Sequence, residues 1–496
     1  MQNIRGKMAS GVVWMLLFKL IDRSIGLVST VILARLLAPE SFGVVAMATS
    51  FIAMLELIGA FGFDMALIQR PDATRKDYDT AWTLAVIFGC GLALLMLLLA
   101  IPISRFYRHP ELVAVICALA FGSLVGGFQN VGVVAFRRDL EFNKEFRFLL
   151  AKRLITFPLT IALAFILQSY WALVVGMTSG RIIDVWLSYR LHPYRPKFSL
   201  AAGKELMGFS KWLLVLNLLT FLRVRSSDFV IGRMGGADSL GLFSVSYELA
   251  NMPGTELVAP INRAVYPAYA RLAADPEAMR REYLSVMGMI CLVAIPAVAG
   301  MAATANIVVP LLLGPKWLSA IPILQILSFA GISLVMQSNA YSLFLALGRG
   351  DVFAKINGAN VLLLIAALLL LVPTYGVIGG AYAYLTAALF MLPIGIGSIL
   401  LTLKLSVWSF VREIWRPMLA TALMFAAVAS YTGRIQPGGS TMALIGDLLT
   451  AVSLGAFTDG VLVFVFWWIV GFPAAAETVI WNRLVKVISS ARQNFR

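Results

Sequence analysis

Histidine and cysteine are nearly absent. The chain has two histidines and three cysteines in 496 residues. His109 and His192 fall between apolar runs, whereas Cys90, Cys117 and Cys291 fall inside them. None has the spacing of a metal site or a disulfide framework, which argues against a metalloenzyme. No glycine-rich segment ends in Gly-Lys-Ser or Gly-Lys-Thr, so nothing resembles a cradle for ATP phosphates and no cofactor is expected. No cleavable signal pattern opens the chain, because the first apolar run is too long and a second follows directly. Hydrophilic stretches are short as well. The longest, near 190–210 and 263–283, reach only about 20 residues, too few for a soluble domain.

Acidic residues are the other scarcity: 25 against 40 basic ones, for a net charge of +15. In a soluble protein this would suggest nucleic acid. Here no basic run is interleaved with aromatics outside the apolar runs, so no nucleic-acid partner is expected.

What is abundant is apolar sequence. At 60% hydrophobic residues the chain exceeds the 45–50% of soluble domains, and its solvent is the lipid bilayer. A window of about 19 residues gives about 14 spans: 10–37, 41–68, 81–103, 112–136, 149–168, 170–190, 209–232, 239–262, 284–313, 318–347, 354–373, 375–401, 417–432 and 444–471. The fold class is therefore all-α, a polytopic membrane protein. One set of connections carries 26 Lys and Arg, among them Arg137, Arg138, Lys144, Arg147, Arg195 and Lys197. The alternate set carries five: Arg105, Arg108, Arg233, Lys316 and Arg434. Positive charge marks the cytoplasmic side, which puts both termini in the cytoplasm. The tail from Glu477, with Ile480, Trp481, Leu484, Val487 and Ile488 alternating with Arg483, Lys486 and Arg492, reads as an amphipathic helix on the inner membrane surface.

The first span carries Lys19, Asp22 and Arg23 well inside it. Each charge near the bilayer centre costs roughly 2.5–3.5 kcal/mol on insertion scales. With Gly26 they fall at i, i+3, i+4 and i+7, on one helical face, which must look into a bundle or a watery cavity. One reading is an ion pair of Asp22 with its basic neighbours that locks packing. The other is a basic cavity wall for an anion, because one carboxylate cannot neutralise two cations.

The chain also resembles itself. Residues 34–43, ARLLAPESFG, align with 232–241, GRMGGADSLG, at an offset of 198; Trp14 then meets Trp212, and Asp64 meets Asn262. Six spans separate the copies, so both have the same orientation. This predicts two six-helix lobes, spans 1–6 (1–200) and 7–12 (201–403), as parallel repeats about an axis along the membrane normal. Two extra spans (404–472) and the tail (473–496) follow. Such repeats place a substrate site between lobes and work by rocking.

Span seven, equivalent to span one, holds Arg223, Arg225 and Asp228, about 18–26 Å past Lys211 at 1.5 Å per residue. Arg225 and Asp228 can pair at i, i+3. Span eight adds Glu248, Glu256 and Arg263, with a helix break expected at Pro253-Gly254. Lys152, Arg153, Arg181 and Asp184 lie nearer the cytoplasmic ends, where snorkelling accounts for the first two. Glu56, Asp64 and Asp459 are isolated acids, each a proton or sodium site or a packing residue; packing is favoured for Asp459.

The stretches ARLLAPESFGVVAMATSF, FYRHPELVAVICALAFGSLVGGFQNVGVVAFRRDLEF and LLGPKWLSAIPILQIL resemble the polysaccharide transporter branch of the MOP exporter superfamily. The resemblance is to Wzx-type flippases of the colanic-acid and succinoglycan kinds. It implies a MATE-like fold in a bacterial inner membrane, a non-enzyme that moves undecaprenyl-pyrophosphate-linked oligosaccharide to the periplasmic leaflet for exopolysaccharide or lipopolysaccharide synthesis. It also implies a cationic cavity. Lys19, Arg23 and Arg263 occupy places comparable to that cavity's cations, while Arg223 and Arg225 join them on depth alone. Asp22, Glu56, Asp64, Asp228, Glu248 and Glu256 are the candidates for charge pairing or for coupling to H+ or Na+. A polysaccharide polymerase or export complex is a candidate partner. Three rivals remain: a drug/cation antiporter, which would favour acids in its cavity; a membrane polymerase, ligase or glycosyltransferase, which would need a large external loop or an acidic metal motif; and a structural scaffold.

Overall fold

The computed structural model describes residues 2–58, 67–68, 73–203, 211–435, 439–473 and 477–478. Asp64, and the tail beyond Thr478, lie outside the described residues. The elements described are helices: α1 (Gln2–Leu36), α2 (Pro39–Ile58), α3 (Arg75–Tyr107), α4 (Leu112–Gly127), α5 (Phe142–Leu167), α6 (Trp171–Leu191), α7 (Lys211–Leu272), α8 (Pro276–Leu312), α9 (Ala320–Gln337), α10 (Ala340–Ala346), α11 (Gly350–Leu403), α12 (Val407–Thr432) and α13 (Thr441–Ile469). Short turns at Val131–Val134 and Ala135–Arg138 link α4 to α5. Among the described residues eight helices are long and apolar enough to cross a membrane, or nine if α4 and the turns after it, bent by 69°, form one span.

Two helices are broken in the middle. α7 runs for 62 residues with one non-helical residue, Gly236, at φ 77°; α11 breaks likewise at Gly376, φ 61°. Positive φ is open to glycine without steric cost, which is why both breaks fall on one. Gly236 lies in the gap expected between spans seven and eight. The break expected at Pro253-Gly254 is absent: both residues sit inside the second arm of α7. A proline in a buried membrane helix is tolerated where neighbouring groups take up the freed carbonyl. The long connection expected near 263–283 is also absent, since α7 continues to Leu272 and α8 starts at Pro276. Asp275 caps α8, accepting from the backbone N–H groups of Glu277 and Ala278 at 3.1 and 3.0 Å, and Pro276 supplies the preset φ of a first helical residue.

The chain forms two compact units, Met1–Gly241 and Leu242–Arg496. In the first, α5 packs on α1 and α6, and α4 packs on α3 and α6. Thr74 opens α3 by donating its backbone N–H and its hydroxyl to Asp77 Oδ2, each at 2.8 Å. The extended segment after α6 is tied down along α3. Asp79 Oδ1 accepts from the Lys197 N–H at 2.9 Å and from the Tyr194 hydroxyl, Thr83 Oγ1 accepts from the Ser199 N–H at 2.9 Å, and Asn130 Nδ2 donates to the Tyr194 carbonyl at 2.8 Å.

Also in this unit, the start of α2 crosses the α7 break at backbone distance. A methyl group added at Gly43 would lie 1.7 Å from the Ala237 carbonyl oxygen, and one at Gly241 would lie 1.8 Å from that of Pro39. Exchanging each residue for its counterpart at offset 198 turns one contact into the other.

The second unit is organised on α8, which packs against α9, α12 and α13. Ile290, Cys291, Ala294 and Ile295 on α8 are at most 1% exposed. Thr432 Oγ1 closes α12 onto α8 by donating to the Ala303 carbonyl at 2.7 Å. Arg416, 1% exposed, forms a two-pronged pair with Glu477, Nε to Oε1 at 2.7 Å and Nη2 to Oε2 at 3.3 Å. Glu477, expected to begin a surface-bound tail, is thus itself buried against α12.

Candidate functional site

Charge at membrane depth is the feature from which a site can be built. On α1, Asp22 lies 14 residues before the helix end at Leu36, roughly 21 Å along the axis at 1.5 Å per residue. Its partner is on α5 rather than on α1. Arg153 Nε stands 3.0 Å from Asp22 Oδ1, with the two side chains 34% and 45% exposed. This contact across helices stands beside the pairing with Lys19 and Arg23 that the spacing on α1 predicts. Lys19 is exposed and Arg23 half-buried. Gly26, one turn beyond Asp22, makes room for this reach: a methyl group there would meet Arg153 Nη2 at 3.2 Å.

Two further pairs join α2, α5 and α6. Arg181 Nη2 lies 3.5 Å from Glu56 Oε1, the side chains 53% and 43% exposed. Lys152 Nζ donates to Asp184 Oδ2 at 2.6 Å, and Asp184 is buried. Lys152 and Arg153, expected to snorkel, both turn to carboxylates on other helices. Hydrocarbon solvates neither a guanidinium nor a carboxylate, so groups this exposed belong on a bundle interior or a watery surface.

On the first arm of α7 Arg225 and Asp228 pair as their spacing predicts, Nη1 to Oδ2 at 3.1 Å. Ser50 on α2, fully buried, donates to the same Oδ2 at 2.7 Å. Around them Phe51 packs edge-on to Tyr107 and Phe229, with ring centroids 5.6 and 4.9 Å apart. Arg223 is half-buried. The second arm of α7, in the second unit, carries Glu248 and Arg263 exposed and Glu256 half-buried. Asp459 on α13 faces Thr421 Oγ1 on α12 at 3.4 Å, a packing contact.

Reading the sequence missed Ser50 and the pairing of Arg153 and Arg181 with carboxylates on other helices. A serine in an apolar run carries no signal of its own. Arg153 and Arg181 were visible as charges, but pairing across 125 residues or more leaves no local pattern.

Residues 32–322 match the family described as "Polysaccharide biosynthesis protein". The chain is 27% identical over 391 residues to the lipopolysaccharide biosynthesis protein WzxC of Escherichia coli K12, covering 77% of this chain and 79% of that one. It is 26% identical to the teichuronic acid biosynthesis protein TuaB of Bacillus subtilis, covering 74% and 77%. It is 24% identical to the succinoglycan biosynthesis transport protein ExoT of Rhizobium meliloti, covering 68% and 69%. Among solved structures, the lipid II flippase MurJ in an inward closed conformation superposes with a TM-score of 0.71 at 12% identity, covering 92% of this chain and 99% of that one. An inward-facing MATE transporter of the MOP superfamily gives 0.54 at 16%, covering 79% and 99%. At these identities the likeness is one of fold.

Proposed function

Since the chain belongs to the polysaccharide biosynthesis protein family, we infer that it is a flippase of the bacterial inner membrane, carrying undecaprenyl-pyrophosphate-linked oligosaccharide from the cytoplasmic to the periplasmic leaflet. The observation that carries this reading is the pair of half-exposed guanidinium groups in the first unit, Arg153 beside α1 and Arg181 beside α2, each facing a carboxylate. A pyrophosphate is multiply charged and cannot cross hydrocarbon unaided. Guanidinium groups replace its water, two oxygens at a time, while the polyprenyl tail stays in lipid. Lys19, Arg23, Arg223, Arg225 and Arg263 are the remaining cations assigned to this cavity. The cargo leaves with its covalent bonds intact, so no residue is given a catalytic role. With no ATP-binding motif, direction comes from an ion gradient, the membrane potential or consumption of the product by a polymerase outside.

The architecture of this reading has fourteen spans, counting the arms of α7 and α11 separately, with both termini cytoplasmic and two parallel six-helix lobes. The reciprocal contacts Gly43 to Ala237 and Gly241 to Pro39 support the repeat, because a two-fold relation between copies requires such exchange. A drug/cation exporter on the same fold is the second reading. Against it stands the excess of cations on α1.

The test uses a strain that lacks this chain but makes the lipid-linked unit. A membrane-impermeant sugar-modifying probe on intact spheroplasts reports which leaflet holds the labelled unit. Inner-leaflet accumulation, relieved by the chain and not by Arg23→Ala with Arg263→Ala, is expected. Outer-leaflet accumulation of unpolymerised units would overturn the flippase reading, and normal export by the double variant would overturn the basic cavity.

A further inference from the structure

Four ion pairs of the first unit fall into two kinds. Lys152 with Asp184 and Arg225 with Asp228 are closed by hydrogen bonds of 2.6 and 3.1 Å onto carboxylates that are less than a tenth exposed. Asp22 with Arg153 and Glu56 with Arg181 are different. The Arg153 Nε has no hydrogen-bond acceptor although Asp22 Oδ1 is 3.0 Å away, because the approach is out of line. The Arg181 contact, at 3.5 Å, is longer than the 2.7–2.9 Å of a charge-assisted bond. In both, acid and base remain open to solvent, and acid and base come from different helices: α1 with α5, and α2 with α6.

A guanidinium fork that touches a carboxylate by charge alone keeps its donors for an anion that fits them better. A phosphate does, presenting two oxygens in the plane of the fork. Gly26 lets Arg153 lie close against α1, since an added methyl group would meet its Nη2 at 3.2 Å. We propose that Arg153 and Arg181 are phosphate-contacting residues, and that Asp22 and Glu56 are exchangeable counter-carboxylates that hold them until a pyrophosphate-bearing ligand arrives. This rests on the flippase reading and extends it to α5 and α6. While the site is empty the paired carboxylates offset the charge of these two arginines; the ligand displaces them and takes over both arginines.

The test is a titration of full-length protein in lipid nanodiscs with undecaprenyl pyrophosphate, using variants that elute and unfold thermally as the parent does. Arg153→Gln and Arg181→Gln are each expected to weaken binding about tenfold, the loss of one charge-assisted contact. Asp22→Asn and Glu56→Gln are expected to strengthen it roughly three- to tenfold, the release of a weak exposed ion pair. Asp22→Asn added to Arg153→Gln brings no gain. Asp184→Asn leaves affinity unchanged, since its bond to Lys152 is closed. The proposal is overturned if Asp22→Asn weakens binding, if both arginine variants bind as the parent does, or if Asp184→Asn tightens binding as much as Asp22→Asn, which would make the gain one of net charge. Parent protein that fails to bind undecaprenyl pyrophosphate sinks the flippase reading and this inference with it. Parent binding with unaffected arginine variants sinks the inference alone.

Discussion

Gly43 and Ala237, 194 residues apart, meet so closely that the carbonyl oxygen of Ala237 occupies the place where a side chain at Gly43 would begin. The contact has an image in Gly241 against Pro39. It sits where α2 starts and where α7 breaks, so it fixes two helix termini against each other rather than two helix flanks.

Gly43→Ala cannot be accommodated by a rotamer change, because the obstacle is backbone. Forced separation of packed elements costs about 1–3 kcal/mol. Purified Gly43→Ala is expected to unfold several degrees below the parent, with Gly241→Ala behaving alike and the double variant falling short of the sum. Equal thermal stability of the single variants and the parent would refute the crossing.

Ser50→Ala is expected to cost about 1 kcal/mol through the lost hydrogen bond to Asp228. Asp228→Ala is expected to cost about 2–3 kcal/mol, because it removes the charged acceptor shared by Arg225 and Ser50 while Arg225 stays partly exposed. The double variant should cost little more than Asp228→Ala, the mark of coupled side chains. Additive losses in thermal or denaturant unfolding would show the two side chains to be independent.

Glu477→Gln leaves the guanidinium of Arg416 buried with its counter-charge gone. A loss of about 3–5 kcal/mol is expected, together with faster tryptic removal of the chain end after α13. Replacing both residues, Arg416→Met with Glu477→Met, is expected to recover most of the stability. Tail release unaltered in Glu477→Gln would show that the pair does not hold that end.

His192 lies in the extended segment after α6, and its Nδ1 accepts from the Tyr194 N–H at 3.2 Å. Burial, and next the charge of Lys144, push its pKa below the ordinary 6.5. A depressed histidine is held neutral when folded, so its contribution is present at neutral pH and lost as pH falls through the unfolded value near 6.5. Between pH 7.5 and 5.5 the parent is expected to lose about 1–2 °C of thermal stability relative to His192→Asn, a small effect because the ring is half exposed. A difference between the two proteins that stays constant over that range would rule the histidine out.

Much of the scaffold was legible because long apolar runs have one solution in a bilayer, the helix. The α7 break at Gly236 fell between expected spans, and that at Gly376 lies one residue from the boundary at 373–375. The misplaced break at Pro253-Gly254 shows the limit: proline removes one donor, and whether the helix yields depends on neighbours that the local sequence does not name. Family membership was readable from motifs such as ARLLAPESFG. Helical periodicity put Lys19, Asp22 and Arg23 on one face, and spacing alone paired Arg225 with Asp228. The partner of Asp22 was not readable, because Arg153 lies on another helix and depth estimates count residues along one axis only. Ser50 became informative only once α2 and α7 were adjacent.

The pairing of Asp22 with Arg153 also sets an order of events during synthesis. Arg153 is made 131 residues after Asp22, which at 5–20 residues per second is roughly 7–25 s later. Throughout that interval the charges beside Asp22 are those of Lys19 and Arg23 on α1, and the guanidinium of Arg153 does not yet exist. The contact that ties this carboxylate to α5 therefore forms only after α2, α3 and α4 have been made. A charge contact written into the first helix is thus completed by a residue about a quarter of the chain away.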